Sequence, residues 1–428
     1  MALQNLSAQS LKSFLTKSNG SVVLWGAGDL GELVKFAFEK AGIKVDFFCD
    51  TNEKKQNKDY LGIPVLSPKK LFSFENKNTN VFISCNYVEV IKGELDKKSF
   101  ENIFHCYDLL SKTDFSSNGQ IKSIHPLKIE RRIDYYKNMC LKEKYASSKI
   151  LHVKSLDIQI TERCSLKCKD CSNLMQYYEK PQNSELSTML ESIDKFINIV
   201  DEIYELRVLG GDPFMSKDLH KVVDKLKTYE KVKKIIIYTN AKIVPKGDNL
   251  ECLKNNKKII LDIANYGQFS TIHDQLLNLL DENKIKYSTT RYTNWQDCGR
   301  ILPNQNRTEE ETKRVFYNCC NSDLISLLHG KLYRCPFSAN ATNLKAIPVD
   351  ETDIVDLTNN EINNNELKEK IRNLVYGKEY LTACSFCNGR DYSVKAINAA
   401  EQTKKPLSFK KVDSETFSEK KQINISNT

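Results

Sequence analysis

The chain alternates between short apolar runs and stretches in which apolar residues recur three and four positions apart. Near the N-terminus this pattern predicts a buried strand at 21–25, a helix at 32–40 and a second strand at 44–49, with further strands at 81–84 and 103–106. Because the strands alternate with helices, the pattern predicts an α/β fold with a parallel sheet.

The same alternation resumes after residue 150. The predicted strands are 155–160, 205–209, 234–238, 259–263 and 287–291, with helices between them. About five strand–helix units can be counted, fewer than the eight of a closed barrel. We therefore predict a second parallel sheet that does not close into a full barrel.

The composition of the chain limits which classes of function are possible. The chain has 428 residues, a net charge of +9 and 14 cysteines. Its lysines are interspersed with acids, so no basic face for nucleic acid is predicted. No apolar run reaches the ~20 residues of a membrane helix, and residues 1–15 lack the pattern of a secretory signal. We expect a cytoplasmic protein with no membrane partner, and clustered cysteines there are read as metal ligands.

Three cysteines, Cys164, Cys168 and Cys171, follow the predicted strand 155–160 with the spacing C-x3-C-x2-C. Three thiolates on one short loop can hold three irons of a [4Fe–4S] cubane and leave the fourth iron open to another ligand. A zinc knuckle or three unrelated thiols are the alternative interpretations of this spacing alone.

The motif in this setting resembles the radical S-adenosylmethionine (SAM) superfamily. The resemblance implies a partial (β/α)6 barrel, a cluster whose open iron binds SAM, release of a 5′-deoxyadenosyl radical, and reduction by flavodoxin or ferredoxin. One departure is Asp170, which stands before the third cysteine where the family has an aromatic residue.

A second match lies at the end of the next predicted strand, 205–209. The stretch Gly210, Gly211, Asp212 and Pro213 resembles the G-G-E-P motif of the same family, with Asp in place of Glu. Two glycines let backbone carbonyls turn inward at a strand end, and the resemblance implies that these carbonyls and the acid hold the ammonium of SAM. A plain strand-to-helix turn is the alternative. Asn240, at the end of the third strand, is predicted to face the ribose or carboxylate of SAM.

Further cysteines follow near the C-terminus. The candidate ligands are Cys320, Cys335, Cys384 and Cys387, with Cys320 chosen over its neighbour Cys319. His329 and Gly330 are predicted to form the turn of a hairpin within this segment. Four thiolates can close a second [4Fe–4S] cluster, and four cysteines holding zinc are the alternative. Behind a radical SAM core, the pattern resembles the twitch or shortened SPASM extension, which carries one auxiliary cluster.

The N-terminal region carries the spacing G-x-G-x-x-G in Gly26, Gly28 and Gly31, between two predicted strands, and Asp50 ends the second of these strands. This context predicts a Rossmann-like domain in which the glycines approach a pyrophosphate and the acid accepts from a ribose hydroxyl. Together with the segment 61–71, it resembles the N-terminal domain of bacterial sugar O- and N-acyltransferases, which implies a nucleotide or nucleotide sugar as ligand.

Five segments are predicted. They are a Rossmann-like domain at 1–118, a helical linker at 119–150, a radical SAM partial barrel at 151–300, a twitch-type domain at 301–395 and a disordered tail at 396–428. The predicted function is hydrogen abstraction from a carbohydrate, a nucleotide-linked sugar in surface polysaccharide biosynthesis, with oxidation or epimerisation as the result. A peptide- or protein-modifying maturase and a non-catalytic metal-binding scaffold are the alternatives.

Overall fold

The structure is a computed structural model that describes residues 8–75, 78–115, 121, 124, 126–391 and 393–412. The chain divides into two compact units, which are residues 1–144 and 145–428. In the described part of the chain, no helix has both the length and the apolar content to cross a membrane.

The first unit is a parallel sheet with helices around it. Its strands are β1 (Ser21–Trp25), β2 (Phe47–Cys49), β3 (Asp59–Tyr60), β4 (Ile63–Leu66), β5 (Thr79–Ile83) and β6 (Asn102–His105). Its helices are α1 (Ala8–Ser18), α2 (Asp29–Lys40), α3 (Pro68–Leu71), α4 (Val88–Lys97), α5 (Tyr107–Lys112) and α6 (Pro126–Tyr145). The last of these helices lies within the segment predicted as a helical linker.

The strand order of this sheet is β3-β4-β2-β1-β5-β6. The pairs β4–β2, β2–β1, β1–β5 and β5–β6 are parallel, and β3 joins the edge in the antiparallel sense. Buried phenylalanines hold the centre, because the ring of Phe82 stacks on Phe104 at 4.7 Å and meets Phe38 edge-on at 4.9 Å. After β1 the chain adds β2 and β4 on one side of it, and then β5 and β6 on the other side. Open α/β sheets form a crevice at the place where the strand order changes side, here between β1 and β5.

The second unit contains the other elements. Its strands are β7 (His152–Thr161), β8 (Glu202–Gly210), β9 (Lys234–Thr239), β10 (Ile259–Asn265), β11 (Tyr287–Arg291), β12 (Asn294–Gln296), β13 (Ile325–Leu328), β14 (Lys331–Tyr333), β15 (Ile354–Asp356) and β16 (Ala396–Asn398). Its helices are α7 (Leu186–Ile199), α8 (Leu219–Lys227), α9 (Asp248–Glu251), α10 (His273–Glu282), α11 (Glu309–Asn318), α12 (Pro336–Asn343) and α13 (Asn364–Arg372).

The strands predicted between residues 155 and 291 are all present as β7 to β11, and each pairs in parallel with its neighbour. Their apolar side chains form one core with the helices between them; Leu156, Val208, Ile237 and Leu261 on the strands are completely buried. The carboxyl ends of these parallel strands therefore lie along one edge of the sheet, where the cysteine loop begins.

The sheet continues into the second cysteine region. Its order is β11-β10-β9-β8-β7-β13-β14-β15, with β13 parallel to β7 and the last two strands antiparallel. Residues on both sides of the boundary predicted at residue 300 thus contribute strands to one sheet and belong to one compact unit. A sequence pattern cannot show this pairing, since β13 reaches the edge of β7 from far along the chain.

The predicted hairpin turn is confirmed. His329 and Gly330 have φ of 48° and 79°, and Leu328 pairs with Lys331 across the turn. Two central residues with positive φ characterise the two-residue turns that suit the twist of a hairpin.

The disordered tail predicted from residue 396 needs correction over residues 396–412. Residues Ala396–Asn398 form β16, which pairs with β12, and Leu407 and Phe409 pack against a buried cluster. Disorder was predicted because the segment is mostly polar, and the few apolar residues that anchor it do not stand out in the composition. Residues 413–428 of the predicted tail lie outside the described residues.

Candidate metal and cofactor site

The cysteine loop leaves the carboxyl end of β7, as the sequence predicts. Cys164, Cys168 and Cys171 belong to one small cluster of side chains, which Ala400 of the C-terminal region completes. The loop therefore presents its three thiols together at the edge of the sheet, partly enclosed by the rest of the unit.

Each of the three sulfurs has N–H groups directed at it. The side-chain amide of Asn240 donates to Sγ of Cys164 at 3.5 Å, and that of Gln402 donates to Sγ of Cys168 at 3.3 Å. Backbone N–H groups of residues 173–175 point at Cys171. Such donors favour a thiolate over a thiol and offset the negative charge of a bound cluster.

Burial opposes ionisation of the same thiols. It raises the pKa of Cys168 to about 12 and raises the pKa of Cys171 as well. A metal that binds here must therefore displace protons, and the N–H donors lower the cost of doing so.

The donor set fits a cubane cluster. Its members are thiols on one loop, each with N–H donors, and a cubane places each thiolate on a different iron. Among the described residues, no three His, Cys, Asp or Glu side chains converge as ligands of a single metal ion.

The glycines of the second motif pack directly on the cysteine loop. A Cβ on Gly210 would lie 2.1 Å from the carbonyl oxygen of Thr161, and one on Gly211 would lie 2.1 Å from that of Arg163. The N–H groups of Gly211 and Asp212 donate to those same two carbonyls at 2.8 and 2.9 Å. The glycines are thus required for close backbone approach, which accounts for them without a ligand.

The side chain of Asp212 is occupied within the protein. It is completely buried and accepts hydrogen bonds from the backbone N–H of Phe214 at 3.1 Å, from Oγ1 of Thr239 at 3.0 Å and from the N–H of Asn240 at 3.2 Å. Burial raises the pKa of this carboxyl group. The structure therefore gives Asp212 the task of joining the ends of β8 and β9.

Asn240 also lies at the loop. Its side chain hydrogen-bonds Ser165 at 3.2 Å in addition to Cys164. Asn240 therefore lies beside the cysteine loop, and its side-chain contacts are with the loop itself.

Asp170, which stands where the family it resembles has an aromatic residue, forms an ion pair instead. Its buried carboxylate accepts from the guanidinium of Arg300. The aromatic surface comes instead from Tyr266, which follows β10 and lies near enough to the three cysteines to interact with them electrostatically. Trp295 meets the ring of Tyr266 edge-on at 5.4 Å.

The second cysteine group lines one cavity in this unit. The thiols on its wall are Cys298, Cys319, Cys335, Cys384 and Cys387. The choice of Cys320 needs correction, since its side chain is exposed and lies against Asn321. Helix α11 ends at Asn318 and Cys319 is extended, so consecutive side chains point in opposite directions and only Cys319 enters the cavity.

The cavity thiols receive N–H groups from their own neighbours. The backbone N–H of Ser338 donates to Sγ of Cys335 at 3.3 Å, and that of Gly389 donates to Sγ of Cys387 at 3.3 Å. Burial raises the pKa of Cys335 and Cys387 to about 12. The set of Cys319, Cys335, Cys384 and Cys387 thus fits a closed four-thiolate site.

Two further residues of this region are brought to the cysteines only by the fold. Cys298 interacts electrostatically with both Cys171 and Cys387, so it lies between the two cysteine groups. Gln402 reaches Cys168 from a segment whose polar composition predicted disorder. Spacing could not find either residue, because both approach the cysteines only in the folded chain.

The glycine loop of the first unit is shaped mainly by packing. A Cβ on Gly26 would lie 2.4 Å from the carbonyl oxygen of Ser84, and one on Gly31 would lie 2.0 Å from that of Gly26. Gly28 is different, because a Cβ there would meet only Nζ of Lys55, at 3.9 Å. The first and third glycines are therefore explained by strand–helix contact.

Asp50 holds this loop in place. Its carboxylate accepts from the N–H of Ala27 at 3.0 Å, the N–H of Asn52 at 2.8 Å and Nζ of Lys55 at 3.0 Å. Lys55 also donates to the carbonyl of Ala27 at 2.6 Å. These contacts put a cation beside Gly28, and they occupy the acid that the sequence assigned to a ribose.

Comparison with known proteins supports the cluster. Residues 158–271 match the family model described as 4Fe-4S single cluster domain. GTP 3′,8-cyclase of Aquifex aeolicus (strain VF5) is 29% identical over 90 residues, which are 21% of this chain and 28% of that protein. GTP 3′,8-cyclase of Campylobacter jejuni subsp. jejuni serotype O:2 is 27% identical over 158 residues, 33% of this chain and 48% of that protein. This chain therefore covers less than half the length of either relative.

Among solved structures, native anSMEcpe with bound AdoMet and Kp18Cys peptide is a distant likeness. It has a TM-score of 0.37 and 13% sequence identity, and the match covers 64% of this chain and 99% of that one. The part of this chain that carries the cysteine loop is therefore similar to 4Fe-4S single cluster domains, over residues 158–271.

Proposed function

We propose that this chain is a radical SAM enzyme that removes a hydrogen atom from a carbohydrate, with a nucleotide-linked sugar as substrate and oxidation or epimerisation as the result. The observation that carries the proposal is the group of Cys164, Cys168 and Cys171 at the carboxyl end of β7, each sulfur with its own N–H donors. A cluster held by these three cysteines would supply the electron needed for reductive cleavage of SAM to the 5′-deoxyadenosyl radical.

In this proposal, the residues around the loop bind the cluster and SAM, and they keep water out of the site. The thiolates of the three cysteines hold three irons, and the backbone carbonyls of the Gly210–Gly211 turn offer acceptors for an ammonium group. Asn240 orients the loop through Cys164 and Ser165. Tyr266 and Trp295 give the site an apolar wall. The cofactor would carry out the radical chemistry, and the protein would bind and orient the reactants.

A second [4Fe–4S] cluster on Cys319, Cys335, Cys384 and Cys387 belongs to the same proposal. Four thiolates would leave no open iron, so a cluster held here would exchange electrons instead of binding SAM. We propose that this second cluster would accept the electron that is released when an alcohol carbon of the substrate is oxidised.

The first unit supports the choice of a nucleotide-linked substrate. The glycine loop follows β1, and the strands that come after it lie on both sides of β1, which is where open α/β sheets bind ligands. Lys55, whose side chain is 40% exposed, lies beside Gly28 and next to the N-terminus of α2. A lysine there suits the phosphates of a nucleotide, as helix N-termini do.

The experiment is anaerobic reconstitution followed by reduction with dithionite in the presence of SAM. We expect about eight irons per chain, the sum of two [4Fe–4S] clusters, and release of 5′-deoxyadenosine. Cys164→Ala should abolish that release, whereas Cys252→Ala, at a buried thiol outside both groups, should not. A chain that binds only zinc, or that leaves SAM intact, would contradict the proposal and favour a scaffold.

Substrate class is tested separately. Thermal shift with nucleotide sugars, against NAD and against short peptides, should stabilise the chain only with nucleotide sugars, and Lys55→Ala should remove that shift. Stabilisation or modification of peptides alone would favour a peptide-modifying enzyme.

A further inference from the structure

Residues 393–412, here called the strap, run beside the cysteine loop. The strap begins with β16, which pairs with β12 so that Ile397 lies opposite Trp295. The N–H of Ala399 then donates to the carbonyl of Thr293 at 2.9 Å. Ala400 turns the chain with a φ of 57° and is completely buried. The strap therefore enters the site along a fixed path.

Past this turn the strap forms a backbone ladder with the cysteine loop. The N–H of Lys169 donates to the carbonyl of Glu401 at 2.7 Å, and the N–H of Thr403 donates to the carbonyl of Lys167 at 2.7 Å. Cys168 and Gln402 face each other as an antiparallel bridge. These contacts hold the middle cysteine of the loop against the strap as two paired strands would.

The amide of Gln402 has only one consistent orientation. Its Oε1 accepts from the backbone N–H of Lys167 at 2.6 Å, and its Nε2 donates to the carbonyl of Ala400 at 2.5 Å. A backbone N–H can only donate and a carbonyl can only accept, so exchanging the oxygen and nitrogen would break both bonds. The second hydrogen of Nε2 is then left for Sγ of Cys168, at 3.3 Å.

The strap is anchored again beyond the loop. The N–H of Leu407 donates to the carbonyl of Gln176 at 2.9 Å, and the ring of Phe409 meets Tyr177 edge-on at 5.5 Å. The amide of Gln402 itself is held at the sulfur by the ladder with Lys167 and Lys169, and these further anchors hold only the later part of the strap. They also allow the strap to be loosened without changing Gln402.

We infer that Gln402 is a positioning residue whose N–H donation to the sulfur of Cys168 raises the reduction potential of the cluster held by Cys164, Cys168 and Cys171; this rests on the function proposed above. One-electron reduction adds a negative charge to the cluster and its sulfurs. A donor fixed at a cluster sulfur stabilises the more negative form, and hydrogen bonds to sulfur are among the factors that set cluster potentials. The strap thus adjusts how readily an external one-electron donor, such as a reduced flavodoxin or ferredoxin, charges the cluster.

The test is a redox titration of the reconstituted chain, followed by the electron paramagnetic resonance signal of the reduced cluster. The comparison uses the wild type, Gln402→Met and Phe409→Ala. Gln402→Met keeps the length of the side chain and removes the donor. We expect the equilibrium constant for reduction to fall about tenfold, which is about 59 mV for one electron. Phe409→Ala loosens the far anchor and keeps the amide, so its potential should match the wild type.

Gln402→Glu is the second variant. It keeps an oxygen for the N–H of Lys167 and replaces the donor with a negative charge, so its potential should lie at or below that of Gln402→Met. Full iron content with an unchanged potential in both Gln402 variants would overturn the inference. Loss of this cluster from both variants would also overturn it, because Gln402 would then retain the loop instead of tuning it. Absence of any cubane in the wild type is a different outcome, which rejects the proposed function itself.

Discussion

The two cysteine groups of the second unit are built in opposite ways. The ligands of the first lie within residues 164–171, and their N–H donors include side chains from distant segments, Asn240 and Gln402. The ligands of the second span residues 319–387, and their donors come from adjacent backbone, as at Ser338 and Gly389. The ligands of the first group are thus close together in the sequence and receive hydrogen bonds from distant segments. The ligands of the second group are far apart in the sequence and receive hydrogen bonds from the backbone next to each of them. The first site should therefore respond to changes far away in the chain, and the second to changes in its own turns.

The largest effects should come from removing one ligand from each group. Cys168→Ala is expected to leave about four of eight irons and to reduce 5′-deoxyadenosine release to background, because the SAM-binding iron is lost. Cys384→Ala should also leave about four irons, but it should retain SAM cleavage and lose substrate turnover. Iron analysis, chromatography of 5′-deoxyadenosine and product assays measure these outcomes.

The contrast between the two variants is decisive for the auxiliary site. Turnover that survives in Cys384→Ala would show that the second cluster does not take up the electron of the substrate. Loss of SAM cleavage in that variant would mean that the two groups fold as one unit instead of acting separately.

The next effect concerns which neighbouring cysteine binds the auxiliary cluster. Cys319→Ser should lower iron content by about four per chain, because Cys319 lines the cavity. Cys320→Ser is the matched control, since its side chain is exposed and should leave iron content unchanged. The reverse result would restore the choice made from sequence and would require the end of α11 to rearrange when the cluster binds.

The sequence predicted the first group well and the second less well, for a physical reason. Strand periodicity located β7, and a fixed spacing on one loop identified Cys164, Cys168 and Cys171. The choice between Cys319 and Cys320 depends on where α11 ends, and helix ends are the least certain feature of a sequence pattern. Gln402 could not be predicted, because its role requires a polar segment to pair with the backbone of Lys167 and Lys169 in the folded chain.

The glycine motifs show the same limit. The pattern correctly placed both motifs at strand ends, but it assigned their acids to ligands. In the structure Asp50 and Asp212 accept hydrogen bonds from nearby backbone N–H groups. A short motif thus fixes position more reliably than it fixes the partner of each side chain.

A smaller effect is expected from Gly211→Ala. The added Cβ would lie 2.1 Å from the backbone carbonyl of Arg163, so the cysteine loop must shift. We expect a loss of about 1–3 kcal/mol in the free energy of unfolding, as for other overpacked sites, with faster loss of the first cluster to a chelator. Denaturant unfolding and iron release measure the two quantities.

Gly93→Ala is the control for that change. Gly93 lies within α4, and a Cβ there meets nothing within 4 Å. Alanine should raise helix stability by about 0.5–1 kcal/mol. Equal destabilisation by both substitutions would contradict the packing explanation for Gly211.

The smallest effect should follow from Arg307→Met. Arg307 donates to the carbonyls of Cys384 and Cys387 at 2.6 and 2.9 Å, so it is a side-chain support at a site otherwise supported by backbone. Losing these bonds should cost about 1 kcal/mol and speed release of the auxiliary iron to a chelator about fivefold, while the first cluster is unaffected. Arg314→Met removes the same charge from the exposed face of α11 and should change neither rate. If Arg307→Met released both clusters faster, the separation of support between the two sites would be wrong, because a contact of the second group would then also stabilise the first.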